Sequence, residues 1–162
     1  MIENNAECSS RILNRQQLKD RIDKERSAGK KIVLANGCFD IFHVGHARYL
    51  CAAKALGDFL VVGINSDKQV QALKGALRPI IREAERAEII ASLRAVDCVT
   101  VFPEATVEEL IRAIRPDFHA KGTDYKPETV PEAKIVKECG GEVRIVGDPK
   151  NHSSSDIIAR NK

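Results

Sequence analysis

The chain has 162 residues, with 26 basic against 23 acidic side chains and a formal net charge of +3. That length buries a full core in one domain, and the near balance of charge gives no footing for nucleic acid. The five cysteines (Cys8, Cys38, Cys51, Cys98, Cys139) are odd in number, widely spaced and form no CxxC, which excludes a disulfide framework and points to a reducing cytoplasm. The polar start MIENNAECSSR is not a signal peptide, and no apolar run nears the roughly 20 residues that cross a bilayer.

In chain order, residues 1–13 read as a loose lead-in. Asn14 with Gln17 predicts a capping box that opens a helix running to about Gly29, with Leu18 and Ile22 inward. Ile32 to Ala35 reads as a buried strand, 45–56 as a helix and Phe59 to Ile64 as a second strand. A short helix over 66–73 leads into the breaker-rich loop Lys74 to Pro79, followed by a helix over 82–95 with Ile90 and Leu93 facing in. Cys98 to Val101 is the third strand. Thr106 with Glu109 predicts the cap of a helix that ends before Pro116. Asp117 to Ala120 is a fourth strand, 131–139 a helix stopped by Gly140-Gly141, Val143 to Val146 a fifth strand and 154–160 a last helix. Continuous apolar strands alternating with helices imply an α/β fold, a Rossmann-like doubly wound sheet of five parallel strands covered on both faces. Such sheets bind ligands at the carboxyl ends of the strands, where the strand order reverses.

The stretch NGCFDIFHVGH, Asn36 to His46, falls at such a strand end. Two familiar phosphate loops are absent: there is no GxxxxGK[ST], and no GxGxxG follows the first strand. His43 and His46 instead bracket the start of a helix near Gly45, and a spacing of three puts both rings on one side of the first turn. A helix N-terminus offers free N–H groups to an anion, Gly45 removes a side chain where a ligand comes close, and Asn36-Gly37 lets the chain turn off the strand. Zinc is the competing reading. It needs about three protein ligands, and neither HExxH nor a cysteine pair supplies them. Histidines satisfied by local backbone remain the plain alternative. A Cys38 nucleophile lacks a third group to orient its base, so Cys38 reads rather as a small filler.

NGCFDIFHVGHARYL resembles the signature of the HxGH nucleotidyltransferases of the cytidylyltransferase-like superfamily, with His43-Val44-Gly45-His46 as the HxGH. GINSDKQVQALKG, RPIIREAERAEIIASLRAVDCVTVF and KGTDYKPE resemble more narrowly the adenylyltransferase domain of ADP-heptose synthase, over about Lys30 to Arg160. Residues 1–29 are then a lead-in and helix, and 30–162 the nucleotidyltransferase domain of a single compact unit. The resemblance implies attack by a sugar phosphate on the α-phosphorus of ATP, with Mg²⁺ accompanying the triphosphate and pyrophosphate leaving. It assigns His43, His46 and Lys74 to catalysis. Gly37, Cys38, Phe39, Asp40, Gly45, Arg86, Lys121, Gly122, Asp124, Ser153, Ser154 and Ser155 are assigned to nucleotide binding, with no protein-held metal.

Each assignment has a plainer reading beside it. Lys74 also reads as a solvated loop lysine. Arg86 shares a helix face with Ile90 and needs an anion, either a structural carboxylate or a ligand phosphate, and Arg78 is a weaker candidate. Lys121 to Tyr125 reads equally as a turn whose Asp124 bonds its own backbone. Ser153 with Asp156 has capping-box character, which would explain the serines structurally. The chain departs from the family pattern at Leu77 and Thr123, where glycine is usual, and at Ser153-Ser154-Ser155, where Ser-Thr-Thr is common. These positions leave base and sugar choice open. A homodimer, small-molecule substrates and a separate upstream sugar kinase are expected, with no nucleic acid or membrane partner. The competing functions are a cytidylyltransferase acting on glycerol 3-phosphate or another polyol phosphate, a nucleotide-binding module without turnover and, more weakly, a zinc hydrolase.

Overall fold

The computed structural model describes residues 8–126, 129–149 and 158. Five parallel strands form one sheet: Ile32–Gly37 (β1), Phe59–Asn65 (β2), Cys98–Phe102 (β3), Phe118–Lys121 (β4) and Glu142–Ile145 (β5). Their order is β3-β2-β1-β4-β5, so the winding reverses between β1 and β4. Six helices are described: Arg15–Ser27 (α1), Val44–Lys54 (α2), Asp67–Lys74 (α3), Glu83–Ala91 (α4), Glu108–Ile114 (α5) and Ala133–Glu138 (α6).

The apolar runs become central strands because both faces of the sheet are covered. Along β1, Ile32 and Leu34 enter one core with Leu18 and Ile22 of α1, Leu110 and Ile114 of α5 and Val136 of α6. Val33 and Ala35 enter the other, with Leu50 and Ala53 of α2 and Ala87 and Ile90 of α4. A pleated strand points alternate residues to opposite faces, so a strand apolar at every position must be buried on both. Phe59 to Asn65 is buried throughout for the same reason.

The expected capping box at α1 forms: Gln17 N–H donates to Asn14 Oδ1 (2.9 Å) and Asn14 N–H to Gln17 Oε1 (3.0 Å). Two helix expectations need correction. The helix expected over 82–95 ends at Ala91, where the Ser92 hydroxyl turns back to donate to the Ile89 carbonyl at 2.7 Å. The capping box expected from Thr106 and Glu109 is absent, since α5 starts a residue later behind Val107, which gives no side-chain cap, and Thr106 lies in the wall of the cavity described below. Gly140-Gly141 stops α6 as expected; a Cβ at Gly141 would stand 2.2 Å from the Pro116 carbonyl oxygen, so only glycine fits. The helix expected over 154–160 lies outside the described residues. Among the described residues no helix is long and apolar enough to cross a membrane.

Candidate active site

A cavity of about 590 Å³ opens at the carboxyl ends of the strands, over the reversal between β1 and β4. Gly37, Cys38, Phe39, His43, Gly45 and His46 reach its wall from the turn after β1. Lys74 comes from the last residue of α3, and Lys121, Gly122 and Asp124 from the end of β4 and the loop beyond. Sequence neighbours and residues nearly ninety positions apart thus share one hollow, as the topology requires.

His43 is the N-cap of α2, with extended backbone and no side-chain cap. His46, one turn in, stacks on it with ring centroids 3.8 Å apart and planes inclined by 21°. Phe39 meets the His46 ring edge-on at 5.1 Å, and Phe42 lies 5.6 Å away. Phe39 holds φ at +48°, a region bulky residues seldom adopt, and the surrounding packing keeps it buried there. His46 Nδ1 is buried with no hydrogen-bond partner among the described residues. Burial, then the neighbouring His43 and Lys74, push its pKa down to about 3, so the ring is a neutral N–H donor.

Cys38 fits the filler reading. Its thiol donates to Asn65 Oδ1 at 3.8 Å, not to an imidazole, and burial pushes its pKa up against the opposing pull of Lys74 and Arg86.

Asp40 and Arg86 are not in the cavity wall, so direct contact with a nucleotide is not where the structure puts them. Asp40 has no exposed surface. It accepts from the backbone N–H of Ile80 (2.7 Å) and Ile81 (3.0 Å) and from Arg78 Nε, which commits Arg78 as well. Burial alone would raise the Asp40 pKa, but these three donors hold it below the usual carboxylate value. Arg86 is equally buried and is the bracket under the turn. It donates to the carbonyls of Ile81 (3.0 Å), Cys38 (2.5 Å) and Asn65 (2.9 Å) and to Asp67 Oδ1 (2.7 Å). Of the two anions its helical position allowed, the structural carboxylate is present. Ser153, Ser154 and Ser155 lie outside the described residues.

Lys121, 6 % exposed, pairs with Glu132 Oε1 at 3.0 Å and stands 4.9 Å from the centre of the Tyr125 ring. A Cβ at Gly122 would meet nothing within 4 Å among the described residues, so none of them demands glycine there. Thr123, a departure from the family pattern, donates to the Asp148 carbonyl (2.7 Å), and Arg48 of α2 pairs with the Asp148 carboxylate (2.8 Å). Asn36, Tyr49, Asn65 and Glu132 also line the cavity, and none was read from sequence as a binding residue; Asn36-Gly37, expected to turn the chain off the strand, instead closes β1. Asn36 stood inside the quoted turn and could have been found there; Glu132 has no local signal, since only folding brings it to Lys121. Among the described residues no three His, Cys, Asp or Glu side chains converge to hold a metal.

Fold and site together define a doubly wound α/β domain whose cavity gathers a helix start, two stacked imidazoles and two lysines. Residues 34–160 match the cytidylyltransferase-like family, and the chain belongs to it: it is a nucleotidyltransferase. It is 47% identical over 154 residues to the bifunctional protein HldE of Syntrophotalea carbinolica and 46% over 155 residues to that of Pelobacter propionicus. The matches cover 95% and 96% of this chain but 31% and 32% of those relatives, so the chain spans about a third of their length. A lipopolysaccharide core biosynthesis protein from Thermoplasma volcanium superposes with TM-score 0.65 at 31% identity, over 76% of this chain and all of that one. A pantoate-beta-alanine ligase from Francisella tularensis shares the fold at TM-score 0.61 and 17% identity, over 93% of this chain and 76% of that one.

Proposed function

We propose that the chain transfers AMP from ATP to a sugar 1-phosphate, heptose 1-phosphate, giving ADP-heptose and pyrophosphate. A phosphate oxygen of the sugar attacks the α-phosphorus, and the bond to the bridging oxygen of the β-phosphate breaks, its electron pair leaving with pyrophosphate. The observation that carries this reading is the meeting of His43, His46, Lys74 and Lys121 around one cavity at the switch point. Charge builds on a crowded polyanion in such a transition state, and prepositioned donors answer it, each worth on the order of 3 kcal/mol by analogy with oxyanion-hole donors. His46 suits the role because, uncharged and with its ring fixed by stacking, it is placed before the reaction begins. Lys74 would neutralise phosphate, while Gly37 to Phe39, Gly45, Gly122 and Asp124 would follow the nucleotide. Asp40 and Arg86 would shape the turn from beneath.

Mg²⁺ belongs to this reading as the counter-ion of the triphosphate. It keeps water and phosphate oxygens as most of its ligands, so a single carboxylate of the cavity wall, such as Asp124, would suffice on the protein side. When bound it would neutralise charge on the phosphates. The sugar choice is supported by the LKG, RPI and KGTDY segments, by relatives named HldE and by a neighbour titled for lipopolysaccharide core biosynthesis. A kinase acting on the sugar must supply the acceptor. A homodimer in the cytoplasm completes the reading, and light scattering on purified protein checks the dimer.

A matrix of nucleoside triphosphates against sugar and polyol phosphates, with pyrophosphate release followed and products weighed by mass spectrometry, tests the proposal. ATP with heptose 1-phosphate should give the fastest Mg²⁺-dependent release. Faster turnover of CTP with glycerol 3-phosphate would select the cytidylyltransferase alternative. Nucleotide binding with no product across the matrix would leave only a binding module.

A further inference from the structure

We propose that Asn36 binds a phosphate oxygen of the substrate through its side-chain amide, and that His119 is the positioning residue that aims that amide into the cavity. This rests on the nucleotidyl transfer proposed above.

Asn36 lies near the carboxyl end of β1 and lines the cavity beside the histidine turn. The next strand, β4, pairs Leu34 with His119 and Ala35 with Ala120, which brings the imidazole under the Asn36 side chain. His119 Nε2 is 3.0 Å from Asn36 Oδ1. His119 has no exposed surface, and its Nδ1 is buried without a partner among the described residues. Burial, with the charge of Lys121, pushes its pKa down to about 3, so the ring carries a single N–H at neutral pH.

Two arrangements satisfy the contact. Nε2–H can donate to Oδ1, leaving Nδ1 a bare lone pair. Alternatively the Asn36 amide is turned round, Nδ2 donates to Nε2, and the ring proton sits on Nδ1 with no acceptor. A buried donor without an acceptor is the rarer fault, so the first arrangement prevails. It fixes Oδ1 toward His119 and turns the two N–H bonds of Nδ2 outward. No hydrogen bond from Nδ2 to a described residue is formed; the nearby Tyr49 hydroxyl gives its proton to the Ala120 carbonyl at 2.8 Å, and its oxygen faces the backbone N–H of Asn36 rather than the side-chain amide. A neutral double donor in a hollow walled by Lys74 and Lys121 suits an oxygen-rich anion, and it adds donors without a further charge to desolvate.

The test uses the full chain with three variants, Asn36→Ala, His119→Leu and His119→Gln. Binding of a non-hydrolysable ATP analogue, pyrophosphate and heptose 1-phosphate is measured by calorimetry, alongside thermal unfolding and steady-state kinetics. Asn36→Ala should weaken at least one of these ligands by roughly ten- to a hundredfold, the range for losing a donor to a charged acceptor, in a chain that still folds but with a midpoint lowered by the stranded His119 N–H. The affected ligand says whether the oxygen belongs to the nucleotide or to the acceptor. His119→Leu removes a buried polar group, so its unfolding midpoint should hold or rise while the same affinity falls. His119→Gln, which can still donate toward Oδ1, should recover most of that affinity. A merely structural histidine would not separate stability from binding in this way. Unchanged affinity for all three ligands in Asn36→Ala, or wild-type affinity in folded His119→Leu, overturns the proposal. If both His119 variants fail to fold, His119 is a core residue and the positioning role falls. A wild-type chain that turns over alongside an Asn36→Ala variant of equal affinity sinks this inference alone, whereas a wild-type chain that binds no phosphate ligand sinks the transferase reading with it.

Discussion

The two halves of NGCFDIFHVGH are built on opposite terms. In the first, Asp40 accepts from Arg78 and from two backbone N–H groups, and the Cys38 carbonyl accepts from Arg86, all within the protein. In the second, His43 and His46 stack against each other, and His46 Nδ1 has no partner among the described residues. Buried polar groups satisfied by the protein hold a shape, and those left over mark where something else is to arrive. In the proposed reading, Asp40 and Arg86 would therefore serve the site from below, and the imidazoles from within.

The sharpest way to break this division is Arg86→Ala. It strands the Cys38 and Asn65 carbonyls together with Asp67, and should cost about 3–5 kcal/mol of stability in denaturant unfolding. Full stability with lost turnover would instead return Arg86 to the ligand. His46→Asn should do the reverse, leaving the unfolding midpoint nearly unchanged and lowering turnover at least about tenfold, since one strong donor is weakened. Equal activity would remove His46 from the chemistry. Lys74→Ala should act more weakly, raising the triphosphate KM by about threefold to tenfold, an effect that shrinks as salt is added.

A last effect is spread along a slope, small at any one pH near neutrality. His46 and His119 both have folded pKa values near 3 against about 6.5 when unfolded, so below pH 6.5 the unfolded chain binds more protons. Stability is therefore fully present above about pH 6.5 and falls as acid is added down to about pH 3, by at most about 1.4 kcal/mol per pH unit for each ring. Urea midpoints between pH 7 and 4.5, above most carboxylate titrations, read this directly. His119→Gln should halve the slope, and an unchanged slope would mean that His119 is not held neutral.

Most of the architecture was legible because periodicity reports burial. Strands such as the run Phe59 to Ile64 carry no polar side chain because they are covered twice, and the capping pair Asn14–Gln17 announces its helix locally. The expectations that failed were sequence signals that other contacts, within the helix or across the fold, overrode. Ser92 bends back to its own helix, Thr106 is taken into the cavity wall, and Arg86 finds its carboxylate on α3, from a segment nearly twenty residues away. Within the site, the histidine turn was readable because its parts are adjacent in sequence. Asn36 with His119 and Lys121 with Glu132 were not, because each pair exists only once β1, β4 and the loop before α6 have come together.

The stacked imidazoles carry one more consequence. A ring that folding has stripped of its proton affinity regains some of it when a polyanion settles alongside. Ligand capture in acid solution should then draw hydrogen ions from the medium, so the heat of association there should vary with the ionisation enthalpy of the buffer, whereas near neutrality, where the ring stays uncharged, it should not.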